Sequence, residues 1–487
     1  MRKTKIICTL GPAVDSPDMI RALIRGGMNA ARFNFSHGTH EEQLARLQMF
    51  TGVRDSMSRP VAAILDTKGP EIRIKSFSTK TVELSAGETF ILTAGDIVGD
   101  RTRVSVTYGN LPAEVEPDQM ILIDDGLVGI QVREVRGEDI VCTVVNGGTL
   151  SANKSINIPG ARIRLPSLTE KDIDDIRFGV EHDFDFIAAS FIRRASDVEA
   201  IREVLRTYGG EKIRIIAKIE NQEGVDNVDE IMAVADGIMV ARGDLGVEIP
   251  AAQVPILQKQ MIRKGLHAGK LVVTATQMLD SMMRNPRPTR AEVSDVANAV
   301  FDGTGCVMLS GETASGKYPL EALAMMNTIV TQTEDSMDFW GLMHQFLEGS
   351  ETIGSNINDA VTHACCLTAR DLNAAAILAT TLSGHTARMI SRFHPACPVA
   401  ALTTREKVRR QMGLYWGVQP FLTGEISSTD RIFSLCAEVA VKEGIAKDGD
   451  TIVVTAGVPL GQAVETNLIK AHVINEKDIG FSPSSAG

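Results

Sequence analysis

The residues best suited to chemistry lie in Ala217-Lys218-Ile219-Glu220-Asn221 and, farther on, in Arg242-Gly243-Asp244. Each group ends an apolar run, residues 213–216 before the first and Ile238-Met239-Val240 before the second. Side chains alternate along an extended chain, so Lys218 and Glu220 share one face while Ile219 points away. Such a strand end presents an ammonium and a carboxylate together, with Asp244 supplied by the next strand. Two converging carboxylates suit a hard divalent ion such as Mg2+, and a lysine beside them suits a phosphate. An isolated K-x-E is more simply an ion pair, so its meaning rests on the elements that position it.

Eight strand-like apolar runs organise the first two-thirds of the chain: Lys5–Thr9, Ala30–Asn34, 61–66, 184–190, 213–220, Gly237–Ala241, 271–276 and 306–310. Between most of them lie segments of helical periodicity, such as 16–25 and 41–54. Ser16-Pro17-Asp18 offers one helix an N-cap and a first-turn proline. Strands alternating with helices imply a parallel sheet, and eight units match a (β/α)8 TIM barrel. In that fold the chemistry lies at the carboxyl ends of the strands. Here those ends are polar: Arg32, Asn34 and Ser36; Asp66, Thr67 and Lys68; Ser190; Lys218 and Glu220; Gly243 and Asp244; Thr276 and Gln277; Ser310, Gly311 and Glu312.

Two regions depart from this rhythm. Between Asp66 and Phe184 the chain carries short β-prone pieces, at Thr81–Leu84, Thr89–Thr93, Met120–Ile123, 127–132 and 140–145, broken by glycine turns. Residues 69–165 therefore read as a small β domain inserted after the third strand, placed to act as a lid on the polar rim. After about residue 338 a separate α/β domain follows, with a helical stretch at 352–369 and strands at 374–380, Val399–Thr403, 451–455 and 467–474. Its first strand runs into Thr380-Thr381-Leu382-Ser383-Gly384-His385-Thr386, then a helix. Hydroxyls and backbone N–H groups there suit a phosphate, although the same residues are good helix caps. A loop at 456–462 is placed to close over such a ligand. The expected division is 1–68 with 166–338 for the barrel, 69–165 for the lid and 339–487 for the C-terminal domain.

The balance of 50 basic against 61 acidic residues, a net charge of −11, argues against a general nucleic-acid or anionic-membrane binder. No apolar run approaches the ~20 residues needed to span a bilayer. The basic N-terminus has too short an apolar stretch for a signal peptide. Seven scattered cysteines without a CxxC suggest buried thiols in a reducing compartment. The expected location is cytoplasmic.

The longest motifs resemble the pyruvate kinase family, and the resemblance covers essentially the whole chain. They include residues 4–12 (TKIICTLGP), 31–38 (ARFNFSHG), 65–73 (LDTKGPEIR), 215–221 (IIAKIEN), 240–246 (VARGDLG), 275–279 (ATQML), 285–292 (NPRPTRAE) and 308–313 (MLSGET). The resemblance implies a barrel, a β-barrel lid and a C-terminal effector domain, with phosphoryl transfer between phosphoenolpyruvate and ADP giving pyruvate and ATP. By the same resemblance Glu220 and Asp244 hold Mg2+ (or Mn2+), and Lys218 neutralises the phosphoryl group in transfer. Gly243 and Asp244, by their N–H groups, and the Thr276 hydroxyl receive the substrate carboxylate. Arg32 reaches substrate phosphate. Asn34, His37 and Arg73 face the nucleotide.

Asn34, Ser36, Asp66 and Thr67 resemble the family's K+ site, and Glu71 marks the K+-requiring members. Thr276 and Ser310 lie near the proton relay to the enolate, where a water is a better acid than an unassisted hydroxyl. Thr380, Thr381, Ser383, Gly384, His385 and Thr386 match a phosphorylated-effector cradle. The absence of basic residues around 458–464 leans toward a monophosphate. Gln222 and Asp280 stand where many members carry His and Glu. A homotetramer is expected, as is a bacterial enzyme without the extra C-terminal phosphohistidine-like domain. Two other readings stay open: another Mg2+-dependent pyruvate or phosphoenolpyruvate barrel enzyme, aldolase or mutase, and a non-catalytic effector-binding protein.

Overall fold

The computed structural model describes residues 2–161, 163–342, 356–426, 428–459 and 465–475. Eight parallel strands close into a barrel: β1 (Lys5–Thr9), β2 (Ala30–Asn34), β3 (Ala62–Asp66), β4 (Phe186–Ala189), β5 (Arg214–Ile219), β6 (Gly237–Ala241), β7 (Leu271–Ala275) and β8 (Cys306–Leu309). Each pairs with its neighbour in chain order, and β1 pairs with β8 to close the ring. Most of these strands are buried along their whole length, as parallel strands covered by helices must be. That is why they read as continuous apolar runs. The first helix, Pro17–Arg25, starts as its sequence indicates, with Ser16 Oγ accepting from the Met19 N–H at 3.3 Å.

The barrel interior is filled by small and medium side chains, among them Ala30, Ala62, Ile64, Ala188, Ile216 and Met239. Leu414, from the C-terminal domain, joins this same cluster and plugs the amino end of the barrel. The junction is polar around the plug. Lys5 Nζ donates to the Val418 carbonyl at 2.7 Å, and Arg410 Nε donates to the buried Asp185 carboxylate at 2.8 Å. With one end stoppered, the open carboxyl end is left for chemistry.

The insertion is a seven-stranded sheet with a two-stranded ribbon, packed around its own apolar core. A bridge between Ile74 and Val106 joins its first and last strands, so the sheet curls back on itself as a small barrel. The C-terminal domain is a five-stranded sheet whose last strand, Leu468–Val473, runs antiparallel against Thr451–Ala456. Its edge strand Val418–Leu422 is absent from the expectations above. Pro420 argues against a strand in sequence, yet it is tolerated at an edge, where its missing N–H breaks no central ladder. The expected helix over 352–369 is seen as Ile357–Asp371, its beginning lying outside the described residues. Among the described residues no helix is long and apolar enough to cross a membrane.

The junction also holds His394, stacked on Trp416 with ring centroids 3.8 Å apart and its Nε2 without a partner. Burial, reinforced by the Lys3 charge, pushes this imidazole down to about 3. An unfolded chain takes up the proton near pH 6.5 and the folded one does not, so acid favours unfolding. Stability should therefore fall by ~1.4 kcal/mol per pH unit below about pH 6 from this residue alone. Urea denaturation at pH 7 and pH 5 checks this: His394→Phe should lose less stability than the parent on acidification, and equal losses would refute it.

Candidate active site

β5 carries Lys218 and Glu220 to the open rim, and both side chains are almost fully buried there. Lys218 Nζ donates to Ser190 Oγ at 2.7 Å and to Asp66 Oδ1 at 3.1 Å, and lies 3.0 Å from Glu220 Oε1. Burial opposes the ammonium, but Asp66 and Glu220 outweigh it and hold Lys218 above the usual lysine range. Asp66 sits between two cations, with Arg32 Nε donating to its Oδ2 at 2.6 Å. Burial would raise its pKa, yet the Arg32 and Lys218 charges keep it below the carboxylate range. Lysine, arginine and the two carboxylates thus form one buried network in which each charge is stabilised by its neighbours.

Glu220 is the least satisfied member. Burial pushes its carboxyl up, Asp244 adds to the shift, and Lys218 only partly opposes it. Its Oε2 accepts a hydrogen bond from the Phe191 N–H at 2.6 Å. Asp244 lies in the first turn of the helix Arg242–Glu248, directly after β6. The Asp244 charge adds to the cost of ionising Glu220, a cost that a divalent cation would relieve, with water and substrate oxygens completing its shell. No cluster of three or more His, Cys, Asp or Glu able to hold a metal occurs among the described residues.

Beside it, the Gly243 N–H donates to Thr276 Oγ1 at 2.7 Å, and that hydroxyl is 2.6 Å from the Ala275 carbonyl. Thr276 has φ of 69°, followed by Gln277 at 53°. A β-branched residue in this region is strained, and it is held there by its surroundings. Arg242 supplies the hold: its Nη2 donates to the Thr276 carbonyl at 2.8 Å, while Nη1 pairs with Asp295 at 2.7 Å. On β8's exit, Glu312 accepts from the Leu279 and Ser310 N–H groups at 3.0 and 2.7 Å. The Ser310 hydroxyl is buried without a partner.

On the opposite side of the rim, Asn34 and Asp66 are register partners at the ends of β2 and β3. Asn34 Oδ1 accepts from the Ser36 N–H at 3.0 Å, and the Thr67 carbonyl accepts from Ser190 Oγ at 2.7 Å. Asn34 and His37 line a cleft of about 680 Å3 with Pro12, Asp15 and Arg46. Arg73 stands apart on the lid strand Ile72–Arg73, where its Nε donates to Glu71 at 2.8 Å and its Nη1 to the Asn153 carbonyl at 2.6 Å. Burial raises the Glu71 carboxyl, Arg73 opposes the shift, and Asp244 adds to it, so lid and rim share one field.

The C-terminal loop is a separate place. Thr380 ends its strand, Thr381 Oγ1 accepts from the Gly384 N–H at 3.0 Å, and Ser383 Oγ accepts from the His385 N–H at 3.4 Å. Thr386 shares a 2.8 Å hydrogen bond with Thr466. Burial and the Arg388 charge push His385 down to about 4. Of the loop expected at 456–462, residues 460–462 lie outside the described residues, as do residues 463 and 464.

Sequence reasoning treats Ser190 only as a polar strand end and assigns no role to Phe191, Arg242 or Glu312. Phe191 acts through its backbone N–H, so its side chain carries no trace of the contact. Arg242 and Glu312 occupy visible motifs, but their distant partners, Thr276 and Asp295 for the first and Leu279 for the second, lie more than 30 residues away in the chain.

Fold and site together define a TIM-barrel enzyme, with a lysine and carboxylates on its rim, a β lid and a C-terminal α/β domain. The family profile described as pyruvate kinase, barrel domain, matches residues 1–323, and the one described as pyruvate kinase, alpha/beta domain, matches residues 359–472. The chain belongs to the pyruvate kinase family and is an enzyme. It is 48% identical to the pyruvate kinase of Clostridium acetobutylicum over 97% of this chain and 100% of that protein. It is also 48% identical to the pyruvate kinase of Geobacillus stearothermophilus, over 98% of this chain and 81% of the other. A crystal structure of a pyruvate kinase from Cryptosporidium parvum superposes with a TM-score of 0.92 at 39% identity, covering 97% of this chain and 96% of that one.

Replacing Asp66 by Asn would leave Arg32 and Lys218 buried with less compensation. Breaking such a network by removing one partner costs about 3–5 kcal/mol. Urea denaturation of Asp66→Asn should show a loss of that size, and a change below about 1 kcal/mol would contradict the network reading.

Proposed function

We propose that this enzyme transfers a phosphoryl group between phosphoenolpyruvate and ADP, giving pyruvate and ATP, in the last step of glycolysis in the cytoplasm. The observation that carries this reading is the buried Lys218 ammonium held between Asp66 and Glu220, with Asp244 in the first helical turn after β6. Phosphoryl transfer needs positioning and charge neutralisation rather than covalent help from the protein. A preorganised ammonium in a dry site supplies both at the phosphoryl oxygens.

Glu220 and Asp244 are the residues that would hold Mg2+ or Mn2+, which when bound orients the substrate and neutralises its charge. The Gly243 and Asp244 N–H groups and the Thr276 hydroxyl take the substrate carboxylate. Arg32 binds phosphate. Asn34, His37 and Arg73 bind the nucleotide, with Arg73 brought in by the lid. Thr276 and Ser310 position the water that protonates the enolate, and the unpartnered Ser310 hydroxyl has hydrogen-bonding capacity for it.

We assign K+ to Asn34, Ser36, Asp66 and the Thr67 carbonyl, an all-oxygen set with one carboxylate. The domains are taken as 1–68 with 166–338, 69–165 and 339–487. The loop Thr380, Thr381, Ser383, Gly384, His385 and Thr386 is proposed to bind a phosphorylated effector. The assembly is proposed to be a homotetramer.

A coupled assay of pyruvate release, with and without ADP, tests the reaction. Release should require ADP in the parent and fall by at least about 10²–10³-fold in Lys218→Met, while Mn2+ binding survives. ADP-independent release, or an active Lys218→Met, would overturn the assignment. Turnover should also require potassium, so equal rates in potassium-only, sodium-only and tetramethylammonium buffers would refute the monovalent site.

A further inference from the structure

The lid joins the barrel by two stretches of chain, and both rest on one turn. On the way out, Gly69 has φ of +72°, and a Cβ there would lie 2.8 Å from Ser190 Cβ and 2.9 Å from Phe191 Cδ2. Its N–H donates to Asp172 Oδ1 at 2.9 Å. On the way back, the carbonyls of Ile163, Leu165 and Pro166 all accept from the Arg193 guanidinium, at 3.1, 2.8 and 3.3 Å. Ser167 Oγ then donates to Asp197 Oδ1 at 2.6 Å, while the other oxygen of that carboxylate accepts from the Arg193 N–H at 2.9 Å. The Arg193 carbonyl is itself held by Asn227 Nδ2 at 2.9 Å.

The same turn reaches the site. Ser190 Oγ accepts from Lys218 Nζ, and Phe191, at φ of 56°, donates its N–H to Glu220 Oε2. Within four successive residues, Ser190, Phe191 and Arg193 therefore touch the rim lysine, a rim carboxylate and both lid connections. A guanidinium is suited to this role because its planar fork serves several carbonyls at once, and an ammonium on a flexible stem cannot reproduce that geometry.

We propose that Arg193 is a positioning residue that sets the lid against the catalytic centre through the turn at 190–193, so that lid placement and the orientation of Glu220 are coupled. The proposal rests on the functional reading above for what the centre does. When the lid connection shifts, the turn shifts with it and the Phe191 N–H leaves its line to Glu220. Misplacement of about 1 Å in such a centre can cost about 10²-fold in rate.

The test compares the full-length parent with Arg193→Lys and Arg193→Met. Mn2+ binding without substrate is followed by electron paramagnetic resonance, and kcat and KM are measured alongside thermal melting. Arg193→Met should weaken Mn2+ binding about tenfold and lower kcat by about 10–100-fold per folded molecule, with Arg193→Lys between it and the parent. If Arg193→Met does not fold, Arg193→Lys decides by the same two readouts. Unchanged Mn2+ affinity would overturn the proposal, including where kcat falls, because a purely structural loss leaves the carboxylate in place. A parent that releases no pyruvate would sink the functional reading instead, and the Mn2+ comparison would still decide the coupling.

Discussion

A single ammonium, that of Lys218, organises the open end of the barrel. Taking it out of water is unfavourable unless carboxylates and a hydroxyl surround it, and Asp66, Glu220 and Ser190 do so. They come from β3, β5 and the exit of β4, so the charge holds several strand ends in register. Arg32 extends the network to β2 and, through Thr9 Oγ1 at 3.1 Å, to β1. The cluster leaves carboxylate charge on the Glu220 and Asp244 side uncompensated, a local field suited to a divalent cation and a phosphoryl group. Stability and reactivity here draw on the same electrostatics.

The rest of the architecture protects that arrangement. Leu414 and its polar surroundings stopper the amino end, leaving the carboxyl rim as the open face. The lid is a folded unit packed around its own core. Its connections converge on the turn after β4, where backbone geometry links them to the rim lysine and carboxylate. Across the rim, Arg242 holds the left-handed backbone of Thr276, with Asp295 fixing the arginine in turn. The positive φ at Thr276 is held by that arginine's bond to its carbonyl.

Much of this architecture is legible in the residues. Parallel barrel strands are buried throughout and so appear as uninterrupted apolar runs, while their carboxyl ends reveal themselves by an abrupt change to Arg, Asp, Lys, Glu and Thr. The K-x-E alternation of Lys218 and Glu220 follows from the period of an extended chain, and the structure brings both to the rim. The edge strand Val418–Leu422 is harder to read because Pro420 argues against it, and only its place at the margin of the sheet makes it acceptable. Phe191 is invisible in a different way: its contribution is an N–H, which nearly every residue type possesses.

Local sequence by itself determined the order of strands and helices, the β insertion, the residues available at each strand end and the pairing of Lys218 with Glu220 on one face. These depend on periodicity and on neighbours within a few positions. Tertiary structure decided the rest: that Asp66 faces both Arg32 and Lys218, that Arg242 pins Thr276, that Leu414 closes the barrel, and that Arg193 gathers the lid's return. Each such contact joins groups far apart along the chain. Its energy depends on distance and burial, which exist only once the barrel has closed.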